Sequence, residues 1–572
     1  MKIGISQLNL KIGALASNAD QIIAAARALS ARGAALAVFP ELAITGYYPW
    51  DLLDQPGFVE AQLAELDRVA EQTRNLPMSI ALGVATLNDG PGKPFRNSFV
   101  ILSGGAVVAS GHKQLLPTYN IFDERRHFEP GTETACAIIE GKKLAFLICE
   151  DAWNDSGSDY AHNPVAAAQA AGAEAIISLN ASPWQTNKHF ARLDLFSKVS
   201  AERGLPILYV NQVGAHDEII YDGASFAVSP SGGCTWQAAF GSREDSILDF
   251  EAGAFRGSPC APWPASEPAQ HLAMAELGLR DYMDKCGFSS VVIGSSGGID
   301  SAVTIALAER VLGASKVAAI TMPSKYSSRG SVSDSQDLCD RLGMRLENLS
   351  IKPTFDAHLA TFFGAFRRAP NRVAIENSQA RLRGLALMTY SNDTGALLLT
   401  TGNKSEVSVG YCTLYGDMNG GLNLIGDLYK TEVYALARHI NEVDERRPIP
   451  AGIIDKPPSA ELFDDQKDSD SLPPYDELDA ILRLYIERDL LSAQEIATAW
   501  ETLGRLQTSD ELIEKIMRMV DKAEFKRWQS CPILRMHARA FGTGRRYPIA
   551  QGFSPTAGML RKISSRPAQA KG

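Results

Sequence analysis

Val291-Val292-Ile293-Gly294-Ser295-Ser296-Gly297-Gly298-Ile299-Asp300-Ser301 decides how this chain is read. A β-branched run ends in a Ser/Gly turn, and Val303, Ala306, Leu307 and Val311 follow at helical spacing. The stretch reads as strand, tight turn, helix. Glycines let a backbone approach a ligand closely, and a helix start offers unpaired N–H groups and the positive end of a dipole. Both features suit pyrophosphate. The turn is not a Walker A, because no Gly-Lys-Ser/Thr follows it. Glycine-rich turns between strand and helix are common, and most bind nothing. Asp300, just inside the helix, is poorly explained as core and better explained by a metal riding on a triphosphate.

On either side of it, residues 274–286 read as a preceding helix and Val317 to Met322 as the next strand, with a third strand over 344–351. This gives a βαβ unit with a right-handed parallel crossover, and it puts the turn at the carboxyl ends of parallel strands, where such sheets bind ligands. Met322-Pro323-Ser324 ends the second strand and is expected to border a nucleotide; Ser327 and Arg329 follow in a polar loop. Upstream, Gly253, Gly257, Pro259, Pro262, Pro264 and Pro268 mark a linker or surface strap. The division expected is 1–250, a linker over 251–272, and 273–572.

Strand and helix alternate again before that linker. Lys2 to Leu10 reads as a strand, Asn18 to Arg32 as an alanine-rich helix, Ala35 to Phe39 as a buried strand, and the alternation recurs to Val210. An α/β layered domain follows. Three polar residues sit at apolar strand ends, where core packing does not want them: Glu41, Lys113 and Cys149. Singly, each has an ordinary explanation as a loop acid, a surface lysine or a small buried thiol. Together they suit one chemistry. A carboxylate can take a thiol proton, while an ammonium favours the thiolate and stabilises a tetrahedral oxyanion.

A chain of 572 residues exceeds one core, and 45% hydrophobic with 21% charged residues is ordinary globular composition. A net charge of -10 argues against bulk nucleic-acid binding. No run reaches a membrane span, so no membrane partner is expected, and MKIGISQLNL reads as a strand rather than a signal peptide. The 8 cysteines form no CxxC pair, which suggests free thiols in a reducing cytoplasm and no structural zinc.

The segments FPELAITGYYP (39–49), HKQLLPTYNIFDERRHFEPG (112–131) and LICEDAW (147–153) resemble the three signature regions of the nitrilase superfamily. The resemblance implies an α-β-β-α sandwich in which Glu41 is the base, Lys113 the electrostatic partner and Cys149 a nucleophile that cleaves C–N bonds through a thioester. Glu124 matches that family's additional glutamate. The same comparison suggests that the loop at Asn180-Ala181-Ser182-Pro183-Trp184 borders a small-molecule pocket, where Ser182 and the Tyr119 hydroxyl would meet glutamine. A capping serine and a core tyrosine explain these two equally well.

The string from Ser296 to Ser301 resembles the pyrophosphate loop of the ATP pyrophosphatases, which have a doubly wound parallel sheet of the adenine nucleotide alpha hydrolase-like kind. TGNKSE (401–406), TLYGD (413–417), LYKTEVY (428–434), PPSAEL (457–462) and the tail at 540–549 narrow the similarity to glutamine-using NAD synthetases. That resemblance implies ATP held by Gly294, Ser295, Ser296, Gly297, Gly298, Ile299, Asp300, Ser301 and Thr401. It implies Mg2+ on Asp300 and Glu406, and dinucleotide contacts from Asn377, Arg383, Asp417, Lys430 and Ser459. A homo-oligomer is also implied. The acidic, proline-bracketed segment 463–474 reads as a flap or a disordered loop, and composition leaves both open. The activity implied is ATP-dependent amidation of nicotinate adenine dinucleotide to NAD through an adenylate, with ammonia taken from glutamine. Two rivals stay open: an amidotransferase of the same loop class that makes GMP or asparagine, and a non-catalytic nucleotide sensor.

Overall fold

The computed structural model describes residues 1–154, 160–258, 262–458, 462–463 and 472–564. The chain divides into two compact units, Met1–Ala265 and Ser266–Lys571.

In the first unit the central strands are apolar on both faces, and the two faces go to different cores. Ile3, Ile5, Phe99, Ile101, Phe146, Ile148, Leu208 and Val210 share one core. Ile80, Leu82 and Val84 instead meet Ile22, Ile23, Leu66 and Val69 from two helices, Leu15–Ala31 and Phe58–Thr73. Leu147, Ile207 and Tyr209 meet Val165 and Phe196 from the helices Pro164–Ala170 and Lys188–Arg203. Side chains alternate faces along a strand, so two sheets lie back to back between two helical layers. This is the α-β-β-α sandwich that the resemblance implies.

Each sheet has a parallel centre. Lys2–Gln7, Leu36–Val38 and Ser79–Leu87 are successive neighbours in a seven-stranded sheet, and Lys142–Ile148, Ala175–Asn180 and Ile207–Asn211 in a six-stranded one. Glu41 and Cys149 both lie just beyond the carboxyl ends of such strands. Gly83 makes room for the first of them: a Cβ there would lie 2.6 Å from Glu41 Cα and 2.3 Å from Leu42 N. The Pro/Gly-rich stretch is more structured than its composition suggests. Ala254–Arg256 pairs with Glu244–Glu251, and the next helix is Glu267–Cys286 rather than 274–286. Pro268 falls in its first turn, where a missing N–H breaks no helical bond.

The second unit is built on a five-stranded parallel sheet in the order Leu346–Asn348, Val317–Thr321, Val291–Gly294, Leu397–Thr400, Leu422–Asn423. Chain order reverses direction beside Val291–Gly294, which makes the crevice at its carboxyl end the ligand position of a doubly wound sheet. Val292, Ile320 and Leu398 pack on Leu382, Ala386 and Leu387 of the helix Arg372–Thr394. That helix starts ahead of Glu376 because the Asn371 side chain caps Ala374 N–H. Three further helices, Tyr475–Ile486, Ala493–Arg505 and Asp510–Lys522, share a separate core around Leu478, Ile481, Leu503, Ile513 and Met517. No described helix is long and apolar enough to cross a membrane.

Candidate active sites

At the first site Lys113 Nζ donates to Glu41 Oε1 at 2.7 Å and to Glu124 Oε1 at 2.6 Å, with all three side chains at 0% exposure. Three further donors hold the two carboxylates. Asn97 Nδ2 reaches Glu41 Oε1 at 2.7 Å and Glu124 Oε2 at 3.3 Å, Tyr47 Oη reaches Glu124 Oε1 at 2.6 Å, and Ala181 N–H reaches Glu41 Oε2 at 3.1 Å. Cys149 begins a short 3₁₀ turn at the end of Lys142–Ile148, with φ 42°. A non-glycine residue in that region costs on the order of 1–3 kcal/mol, so the surroundings must hold it there. Asp151 does much of that. It accepts from Gln114 N and Leu115 N at 2.8 Å each and from Ile148 N at 3.1 Å, tying the cysteine's turn to the segment after Lys113.

Burial sets the proton affinities. It pushes the Cys149 thiol well above its ordinary value, Glu41 adds to the push, and Lys113 opposes both. Burial likewise raises the Glu41 carboxyl; Lys113 pulls it down and Glu124 pushes it up again. Burial works against the charge on Lys113, but Glu124 and Glu41 outweigh it and hold the ammonium on. The resting sulfur therefore keeps its proton, and Glu41 is a carboxylate with raised proton affinity placed beside a fixed cation. Such a set can move one proton and receive one developing negative charge.

Around it, the Tyr119 hydroxyl donates to Glu150 at 3.0 and 3.1 Å and Tyr160 donates to the same carboxylate at 2.9 Å. Ser182 is buried, and its N–H donates to Asn211 Oδ1 at 2.9 Å. Arg192 holds the loop from below: it pairs with buried Asp222 at 2.9 Å and donates to Pro183 O at 3.2 Å.

In the second unit a cavity of about 300 Å³ opens at the carboxyl end of Val291–Gly294. Of the residues singled out from sequence, Gly294, Ser295, Ser296, Gly298, Ile299, Asp300, Ser301, Arg383, Thr401, Glu406, Asp417 and Lys430 line it. So do Met322, Pro323 and Ser327. Gly297 and Asn377 are not among the lining residues. Gly297, at φ 75°, lies where a Cβ would meet Ser331 O at 2.3 Å, so it lets the turn pack on the helix Arg329–Arg341; Asn377 accepts from Thr413 Oγ1 at 2.9 Å. Ser459 and 464–471 of the acidic segment lie outside the described residues. The first helical bond runs from Ala302 N to Gly298 O, so the N–H groups of Ile299, Asp300 and Ser301 have no intrahelical acceptor, while in the turn Ser296 N–H donates to Ser301 Oγ at 3.3 Å and Gly298 N–H to Ser296 Oγ at 3.2 Å.

Lys430 Nζ lies 2.6 Å from Asp300 Oδ2 and 2.9 Å from Glu406 Oε1. Asn403 Nδ2 fixes the other Asp300 oxygen at 2.9 Å. Two hard oxygen donors thus converge on one cationic position at a cavity wall, a donor set that fits magnesium. A second, buried charge network braces the helix that begins at Lys430. Lys404 pairs with Asp427 at 2.9 Å, and His537 Nε2 with Glu432 at 3.0 Å, with the imidazole pushed up to about 10, chiefly by Glu432 against burial.

Sequence reasoning misses Tyr47, Asn97, Asp151 and Asn403. Tyr47 and Asp151 lie inside the quoted strings, but nothing in their spacing says which carboxylate or amide they meet. Asn97 carries no signal at all, because it stands in mid-strand far from any motif.

Comparison with known proteins covers nearly the whole chain. A family model described as carbon-nitrogen hydrolase matches residues 2–250, and one described as NAD synthase matches residues 271–530. A glutamine-dependent NAD(+) synthetase of Synechocystis sp. is 42% identical over 97% of this chain and 99% of its own. One of Rhodobacter capsulatus is 41% identical over 96% of this chain and 98% of its own. The solved structure of glutamine-dependent NAD+ synthetase from Acinetobacter baumannii in complex with ADP is 34% identical, covers 96% of this chain and 98% of that one, and superposes with a TM-score of 0.75.

Proposed function

The chain belongs to the glutamine-dependent NAD(+) synthetases, a family of C–N ligases, and from that membership we propose how its residues divide the reaction. The nitrilase-like unit is the glutaminase and the other the NAD synthase; we place them at 1–250 and 273–572, with 251–272 between. Glutamine, ATP and nicotinate adenine dinucleotide are the substrates.

In the first unit Cys149 Sγ attacks the amide carbon of glutamine while its proton passes to Glu41. Lys113, held charged by Glu41 and Glu124, stabilises the oxyanion. Glu41 returns the proton to the leaving nitrogen, ammonia departs, and a thioester remains. Water deprotonated by Glu41 then releases glutamate and restores the thiol. Tyr119 and Ser182 border the bound glutamine.

In the second unit the turn from Gly294 to Ser301, with Thr401, holds the phosphates of ATP. The carboxylate of nicotinate adenine dinucleotide attacks the α-phosphorus, pyrophosphate leaves, and ammonia then displaces AMP from the adenylate to give NAD. Arg383 and Lys430 offset the repulsion between carboxylate and triphosphate, and Asp417 and Asn377 position the dinucleotide. Asp300 and Glu406 would hold magnesium, which when bound neutralises phosphate charge.

The observation that supports this reading best is the sealed contact of Lys113 with two carboxylates beside a cysteine. Stability alone would favour an apolar core there, because buried ion pairs seldom repay their desolvation. Glutamine labelled with nitrogen-15 in its amide, supplied with ATP and nicotinate adenine dinucleotide, tests it. The label is expected in the carboxamide of NAD, with AMP and pyrophosphate formed in equal amounts. Label confined to free ammonium, or transfer to xanthosine monophosphate or aspartate instead, overturns it.

No disulfide joins the described cysteines, which fits a cytoplasmic enzyme. The exposed Phe363 and Phe366 on the helix Lys352–Phe366 fit a homo-oligomer, which light scattering would measure directly.

A further inference from the structure

His127 is 2% exposed, yet its Nε2 has no hydrogen-bond partner among the described residues. Its Nδ1 is fixed at 2.7 Å by the Tyr48 hydroxyl. Nε2 faces two carboxylate oxygens, Asp51 Oδ1 and Asp54 Oδ2, each at 3.4 Å. The ligand atoms of all three residues lie within 4.8 Å of one another. We propose that Asp51, Asp54 and His127 form a binding site for a zinc-like divalent cation, separate from both reaction centres.

The spacing carries the argument. At 3.4 Å the imidazole is too far from either oxygen for a good hydrogen bond. Yet two ligands each bonded at about 2.0–2.1 Å to one tetrahedral ion stand roughly 3.3–3.4 Å apart. The local fold explains the pairing. Asp51 and Asp54 lie three residues apart in the 3₁₀ helix Trp50–Asp54, and side chains at that spacing eclipse in such a helix. Tyr48 Oη can accept from an Nδ1–H, which leaves the Nε2 lone pair for the metal, the usual outer support of a ligating histidine.

One nitrogen and two oxygen donors select a first-row divalent ion over magnesium, and the exposed carboxylates leave positions for water. Arg126 also pairs with Asp51, Nε to Oδ1 at 3.0 Å and NH2 to Oδ2 at 3.1 Å. The metal must therefore displace the first of these contacts while the second can stay. A bound ion would clamp the segment carrying Tyr47 and Tyr48 to the one carrying Glu124 and His127.

Titration of the chelator-treated full-length chain with Co2+, followed by visible absorption, tests this. Beyond any Co2+ taken by Asp300 and Glu406, one equivalent that depends on Asp54 and His127 is expected to bind with ligand-field bands and without the thiolate charge-transfer band that binding at Cys149 or another cysteine would give. Asp54→Asn removes an exposed ligand without touching the core and should weaken that binding by about tenfold or more. His127→Gln should abolish it, and the Zn2+-dependent rise in Tm expected of the parent chain should be absent in His127→Gln and smaller in Asp54→Asn. If the parent chain binds no Co2+, or if Asp54→Asn binds it as tightly, the site does not exist.

Discussion

The two candidate centres share one arrangement, a lysine ammonium bridging two carboxylates, and differ in what surrounds it. Lys113 spans Glu41 and Glu124 at 2.7 and 2.6 Å, with all three side chains buried at 0% exposure. Lys430 spans Asp300 and Glu406 at 2.6 and 2.9 Å, but those carboxylates are 17% and 18% exposed on the wall of a cavity of about 300 Å³. In the sealed cluster no ion can enter, so its charges can change only by moving a proton. In the open one a hydrated metal ion can take the lysine's place between the carboxylates, and a phosphate can take a carboxylate's place on the lysine. The same three groups thus suit proton transfer when buried and cation-assisted phosphate chemistry when open.

Kinetics should separate the two centres most strongly. Cys149→Ala is expected to lower glutamine-dependent NAD formation by about 10³-fold or more. Formation from added ammonium should stay within about twofold, since the second centre is untouched. Equal loss of both in a folded protein would mean that the two centres do not divide the work. Asp300→Asn should do the converse. NAD formation from either nitrogen source should fall by about 10²–10³-fold, as for loss of one oriented charge at a phosphoryl centre, while glutamine hydrolysis continues.

Stability separates the centres next. Lys113→Met strands two buried carboxylates and should destabilise the first unit by about 3–5 kcal/mol, read from denaturant midpoints. Lys430→Met leaves its partners with access to water and should cost clearly less. Comparable losses would mean that exposure does not distinguish the two clusters.

The smallest expected effect is a shift of pH profile. Glu41 must be ionised to take the thiol proton, so glutamine hydrolysis rises with pH through its raised pKa. The Asn97 hydrogen bond favours the ionised form; Asn97→Leu should therefore move the acid limb of kcat/KM for glutamine to higher pH. The pH profile of ammonium-dependent synthesis should not move. An acid limb that stays put would remove Glu41 as the base.

Much of this is legible in the chain because local rules and function coincide. At Val291 to Ser301 the β-branched run, the glycines and the helical spacing all point to strand, turn and helix, and the structure has Val291–Gly294 followed by Ile299–Leu312. Glu41, Lys113 and Cys149 stand out because polar groups at apolar strand ends need a reason. The helix start at Glu267 is harder to read: its proline is a breaker by composition and a first-turn residue by position. Tyr47, Asn97 and Asp151 are harder still, since their partners are brought near by sheet packing rather than by spacing along the chain.

Local patterning along the chain was enough for the two α/β units, the order of their elements and the residue types placed at the ends of their central strands. Periodicity and turn chemistry are local and survive in one dimension. Only the tertiary structure decided which carboxylates share a lysine, which of those pairs is shut off from water, and that His127 faces Asp51 and Asp54. Those outcomes depend on distances between segments remote in the chain and on the dielectric around them, and neither quantity is written in any single stretch of residues.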